Sequence, residues 1–136
     1  MNAKKIVLVD DDPVFLRAVS GKLQAEGYEV HTAVDGSAAV SVTRQTKPDL
    51  VVLDINFPPD VGHGGGVAWD GFLIIEWLRR MASLGDTPVI LATSGQPADY
   101  IEKARKAGAS GFFPKAAPVE DLLGLIRELL KEPAPG

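Results

Sequence analysis

An α/β fold, with a parallel sheet covered by helices on both faces, is the class this sequence predicts. Short runs of β-forming residues alternate with helical periodicities five times along 136 residues. That is the pattern of repeated βα units. Two of the runs, 6–9 and 50–53, carry no polar alternation, so both faces of each are expected to be buried. Both end in acids, Asp10-Asp11 and Asp54. Carboxylates so placed stand at the carboxyl edge of the sheet, where open α/β folds bind ligands.

The elements follow in order. Residues 6–9 form the first strand. Pro13 suits the first turn of the next helix, where a missing N–H costs nothing. Phe15, Leu16, Val19 and Leu23 make its apolar stripe, and Gly27 ends it as the residue past the cap. Residues 28–33 read as a short, more polar strand. Asp35-Gly36 is a turn, 37–45 a helix of small residues, and Pro48 blocks its extension. Residues 49–53 form the third strand. A helix over 71–84 turns Phe72, Ile75, Leu78 and Met81 inward, with Trp77 packed on it. Residues 88–92 form the fourth strand, 97–107 a polar helix closed by Gly108, and 111–113 the fifth strand. The last helix, 118–131, sets Leu122, Leu125, Ile126 and Leu129 at core spacing. One domain is expected over 1–131, with no output domain after it, and a frayed tail over 132–136.

Right-handed crossovers leave few ways to arrange five such units. Pro114, at the end of the fifth strand, argues for an edge position. The polar second strand suits the other edge. The order 2-1-3-4-5 satisfies both, and its switch point falls between the strands that end in Asp10-Asp11 and Asp54.

Bulk properties narrow the function. The length is that of one domain with one core. Net charge −4 and a pI near 5.1 give no electrostatic footprint for nucleic acid. There is no cysteine, hence no thiol chemistry and no disulfide framework. The apolar stretch near the N-terminus is too short for a signal peptide, and no run approaches the roughly 20 residues that span a bilayer. A cytoplasmic protein is expected. No glycine fingerprint for a dinucleotide or Walker loop follows the first strand, where acids stand instead. Two histidines do not assemble a Ser/His/Asp triad.

The acids carry the chemistry. Two carboxylates about 4 Å apart repel by roughly 4 kcal/mol at an effective dielectric near 20. Three converging on one edge therefore call for a cation between them, and hard oxygen donors favour Mg²⁺. Asp54 is then placed to act as a nucleophile. Each residue also has a plainer reading. Asp10, Asp11 and Asp12 could be a solvated cap before Pro13, and Asp12 is left in that role. Asp54 could cap a loop, Thr93 could be an ordinary strand-end hydroxyl, Phe112 core and Lys115 a solvated lysine. His31 reads as a surface residue. His63, in a glycine-rich loop, is a weak metal candidate.

Taken together, Asp10-Asp11, Asp54, Thr93, Phe112 and Lys115 at successive strand ends resemble the receiver domain of two-component response regulators, over residues 5–131. The resemblance implies a flavodoxin-like (βα)5 fold and an Mg²⁺-dependent signalling switch. Asp54 would be the phospho-acceptor. Asp11, Asp54 and the main-chain carbonyl of Asn56 would bind the metal directly, and Asp10 would do so through water. Lys115 and Thr93 would contact the phosphoryl group, with Thr93 and Phe112 as switch residues. The implied partners are a sensor histidine kinase or histidine phosphotransfer protein and an output protein or domain, with no direct nucleic acid or membrane contact. A homodimer through helix 97–107, strand 111–113 and helix 118–131 is a further possibility. Such a chain catalyses only its own phosphorylation and dephosphorylation.

Two departures from that family stand out. The loop between Asp54 and Asp70-Gly71 is unusually long, and its 62–69 stretch is expected to be mobile beside the site. The family lysine usually precedes a cis proline, whereas Lys115 precedes Ala116. The resemblance implies a cis Lys115–Ala116 bond, against a non-proline cost of about 3–4 kcal/mol. A hydrolase of the aspartyl-phosphate class is the alternative, but its second acid would fall at Asn56. A degenerate receiver that only binds protein would not need all five site elements.

Overall fold

The computed structural model describes residues 3–54, 79–80, 85–93, 106 and 108–131. Asn56, His63, both tryptophans, the 62–69 loop and the 132–136 tail lie outside the described residues. So do the helices expected over 71–84 and 97–107, apart from Arg79, Arg80 and Lys106.

Five strands form one parallel sheet: β1 (Lys5–Val9), β2 (Glu29–Ala33), β3 (Leu50–Asp54), β4 (Val89–Thr93) and β5 (Gly111–Pro114). Their order is β2-β1-β3-β4-β5, as expected. Composition explains it. Every residue of β3 and β4 is buried, and they take interior places. β2, with Glu29 and Thr32 exposed, takes one edge, and β5, ending in Pro114, takes the other.

Alternate residues of each strand feed two cores, one per face. On one face Ile6, Leu8, Leu50, Val52, Ile90 and Ala92 pack with Leu16, Val19 and Leu23 of α1 (Pro13–Ala25) and with Leu122, Leu123 and Ile126 of a C-terminal helix (Val119–Leu130). On the other, Val7, Val9, Val51 and Leu53 pack with Ala39 of α2 (Gly36–Thr46). The C-terminal helix is α3 below. Fully burying one such aliphatic side chain contributes about 1.5–3 kcal/mol.

Local signals set the helix ends. Asp12 caps α1, its carboxylate accepting from Val14 N at 2.9 Å, and Pro13 opens the first turn. Gly27 follows the last turn at φ 97°, a conformation cheap only for glycine. Asp35 caps α2 by accepting from Ala38 N at 2.7 Å. Several boundaries move. Asp49 lies outside β3 and instead anchors β1: its Oδ2 accepts from Lys5 N and its N–H donates to Lys5 O, both at 2.8 Å. β4 and β5 run one residue further than expected, to Thr93 and Pro114.

Two expectations need correction. No cis peptide occurs among the described residues, so Lys115–Ala116 is trans. Alanine gives the cis form none of the relief that proline supplies. On α3 the inward set is Leu122, Leu123 and Ile126, with Leu125 and Leu129 only half-buried. Leu122 and Ile126 are thus as expected, Leu123 joins them, and Leu125 and Leu129 pack at the margin of the same core.

Candidate functional site

Three strand ends and one loop build the site. β1 ends at Val9, and Asp10 follows with its N–H on Ala33 O at 3.0 Å, which ties it to the end of β2. Its side chain is wholly buried, and Oδ1 accepts from Asp12 N at 2.9 Å. The same turn therefore fixes the Asp10 carboxylate and, through Asp12, the start of α1. Asp11 between them is exposed. Asp54 closes β3, 2% exposed and in register with Ala92. Thr93 closes β4 and is fully buried.

These placements bring the acids together. One carboxylate oxygen from each of Asp10, Asp11 and Asp54 lies within 4.8 Å of the other two. Lys115 enters from the loop after β5. Its N–H donates to Thr93 O at 2.7 Å, pinning that loop to the end of β4. Its Nζ stands 2.6 Å from Asp10 Oδ2 and 3.4 Å from Asp54 Oδ2. The trans peptide thus still delivers the ammonium to both acids. Nζ also lies 4.7 Å from the centroid of the Phe15 ring, over its face.

The electrostatics fit a cation site. Burial pushes the Asp10 carboxyl above the ordinary aspartate range; Lys115 and the Asp12 N–H pull it back, and the Asp54 charge adds to the rise. For Lys115, burial alone would lower the value, but the Asp10 and Asp54 carboxylates outweigh it and hold the ammonium charged. Asp10 Oδ2 is held by the Lys115 ammonium at 2.6 Å, one partner for an oxygen with two lone pairs. That leaves lone-pair capacity on a buried oxygen. A clustered set of hard carboxylate oxygens matches the donors that Mg²⁺ or Ca²⁺ prefers.

The structure therefore brings together Asp10, Asp11, Asp54, Thr93 and Lys115. Asp12 is a cap, as its plainer reading had it. Phe112 sits in β5 opposite Leu91, half-buried against the core on the α2 side. His31 pairs with Glu29 at 2.7 Å on the exposed side of edge strand β2. Phe15 packs at the margin of the core, as its place in the α1 stripe had it; sequence reasoning did not foresee its ring beside Lys115. It also missed Arg79, whose guanidinium donates to Gly85 O and Gly108 O, both at 2.7 Å. That clamp joins the turns leading into β4 and β5, at the end of the sheet away from the acids. No spacing signal marks either residue, because both act on partners distant in sequence.

Comparison with known proteins agrees with this geometry. Residues 6–127 match the response regulator receiver domain. The chain is 35% identical over 128 residues to the DNA-binding dual master transcriptional regulator RpaA of Synechocystis, covering 93% of this chain and 49% of that protein. It is 30% identical over 131 residues to the transcriptional regulatory protein PrrA of Mycobacterium leprae, covering 96% and 52%. It thus spans about half the length of these relatives. Among solved structures, the chemotaxis response regulator CheY4 of Vibrio cholerae superposes with a TM-score of 0.81 at 27% identity, covering 94% of this chain and 99% of that one. A CheY-like receiver domain from Methanospirillum hungatei gives 0.81 at 25% identity, covering 96% and 95%.

Proposed function

This chain belongs to the response regulator receiver domain family, and from that we propose that it is a phosphorylatable switch with Asp54 as the acceptor. The observation that carries the proposal is the nearly buried Asp54 carboxylate, with Asp10, Asp11 and Lys115 converging on it. An Asp54 oxygen attacks phosphorus; the bond from phosphorus to the donor's nitrogen or oxygen breaks, and the leaving group departs with the electron pair. Asp10, Asp11 and Asp54 would hold Mg²⁺, with Asp10 acting through water. Asn56, whose main-chain carbonyl is the remaining proposed ligand, lies outside the described residues. When bound, the metal supplies positive charge against the phosphoryl oxygens. Lys115 would supply more, and the Thr93 hydroxyl would donate a hydrogen bond. The donor would be a sensor histidine kinase or a histidine phosphotransfer protein.

The output follows from the β5 edge. A groove of about 610 Å³ runs along β5 and α3, with Phe112, Ala117 and Leu125 among its apolar lining and Glu120, Asp121 and Glu128 on its exposed rim. We assign it to an output protein, domain or second copy, with Thr93 and Phe112 coupling it to Asp54. The domain proper would span 1–131. Among the described residues no helix is long and apolar enough to cross a membrane, which supports a cytoplasmic setting. RpaA is named a DNA-binding transcriptional regulator and PrrA a transcriptional regulatory protein; here the acidic receiver would act through protein contacts.

Incubation with acetyl phosphate and Mg²⁺ should add one phosphoryl mass to the wild-type chain and none to Asp54→Asn. Equal labelling of the two would overturn the assignment, and a substrate-level phosphatase activity would favour a hydrolase.

A further inference from the structure

Lys115 carries its charge on a flexible four-carbon stem. Its main chain is fixed by the hydrogen bond to Thr93 O, and Ala117 N closes the loop on Pro114 O at 2.9 Å. Among the described residues, the ammonium lies beside Asp10, Asp54 and the ring of Phe15. Two of them belong to the acid set that would hold the metal. Once a cation shares their charge, their pull on Lys115 weakens and the cation itself repels the ammonium. The ring is the neighbour whose attraction does not depend on those carboxylates.

We infer that Phe15 is a positioning residue for Lys115, its ring face holding the ammonium over the acids while the carboxylates exchange partners. The inference rests on the Asp54 reading above. Phe15 is well placed for this task. It lies in the first turn of α1, three residues after the Asp12 cap. The same turn supplies the N–H that holds Asp10 Oδ1, so ring and carboxylate share one framework. Phe15 is half-buried at the margin of the core, whereas Leu16, Val19 and Leu23 take the buried stripe of the helix. A distance of 4.7 Å is inside the range, about 6 Å, over which a ring face attracts an ammonium.

The test has two arms. In metal-free protein, the Lys115 ε-methylene protons should show an upfield ring-current displacement that disappears in Phe15→Leu. With Mg²⁺ and acetyl phosphate, Phe15→Leu should slow phosphorylation by roughly three- to thirtyfold. Mono-, di- and trifluorophenylalanine placed at position 15 should slow it in steps, because fluorine drains the ring face while nearly preserving its shape. Thermal melts confirm that each variant folds. Lys115 signals unmoved in Phe15→Leu, or rates flat across the fluorinated series, would overturn the inference. If the wild-type chain takes up no phosphoryl group, the Asp54 reading fails, and the ring-current arm still decides whether Phe15 holds Lys115.

Discussion

Four aspartates near one another in sequence or sheet have three different fates, and position along the strand decides each. Asp49 stands before β3 and stitches backbone to backbone through Lys5. Asp12 spends its carboxylate on the α1 cap. Asp10 and Asp54 stand after or at the ends of β1 and β3, are buried, and face Lys115. Burial has a consequence that pH can read. The folded-state value of Asp10 is raised above the ordinary 3.8. Below 3.8 the group is protonated in both states and its ionisation costs folding nothing. As pH rises from there, the unfolded chain ionises first, so stability falls until the raised folded value is passed and then levels. Lys115 stays charged throughout that window, because its value is also raised. Exposed Glu29, whose value is lowered by its bond to His31, changes in the opposite sense but is present in both proteins to be compared. In chelator, the stability of wild type minus that of Asp10→Asn should therefore decrease with rising pH across this range and then flatten. Urea denaturation at a series of pH values measures it, and a difference that grew with pH would show that the carboxyl is held down rather than up.

At the scale of elements, strands were easier to read than helix faces. β1, β3 and β4 are runs of Val, Ile and Leu with no competing period, so only their ends moved, by a residue. α3 is different. Leu122, Leu123, Leu125, Ile126, Leu129 and Leu130 leave more apolar residues than one face can bury, and helical spacing alone admits two neighbouring stripes. The sheet chooses Leu122, Leu123 and Ile126. Leu125 instead meets the edge strand: a methyl added at Gly111 would sit 3.1 Å from its Cδ2. The two leucines should accordingly differ on truncation. Leu123→Ala leaves a cavity in a packed core and should cost about 2–4 kcal/mol, while Leu125→Ala opens a groove already reached by solvent and should cost about 1 kcal/mol. Midpoints of chemical denaturation compare them, and equal losses would mean that α3 is rotated from the orientation described. The loop after β5 was the other misreading. Family likeness argued for a cis Lys115–Ala116 bond, whereas the intrinsic cost at alanine argued for trans, and the local chemistry prevailed.

For the molecule as a whole, sheet order and acid cluster were legible because both follow from which strands are apolar on two faces and what stands at their carboxyl ends. The neighbours of Lys115 and the clamp at Arg79 were not, since each joins elements whose approach only the assembled sheet defines. That assembly also suggests how a local charge reaches a distant surface. Thr93 ends β4 inside the site, and its main-chain oxygen holds Lys115 N. One strand over, Phe112 pairs with Leu91 and touches both the α2-side core and the groove shared with Leu125. The ring is half-buried and borders the open groove. On the switch reading proposed above, a phosphoryl group drawing the Thr93 hydroxyl toward Asp54 would vacate space for the ring and bias it inward, and a small differential affinity is enough to shift such an equilibrium. Mg²⁺ with beryllofluoride, a stable stand-in for the phosphoryl group, should therefore move amide signals at two places: around Asp10, Asp54 and Lys115, and along the groove at Gly124, Leu125 and Glu128. Thr93→Ala should keep the first set of changes and lose the second, because the ligand still binds but its link to Phe112 is cut. Changes confined to the acid cluster in the wild-type protein would mean that Phe112 is fixed core in both states, and that the groove answers to something other than Asp54.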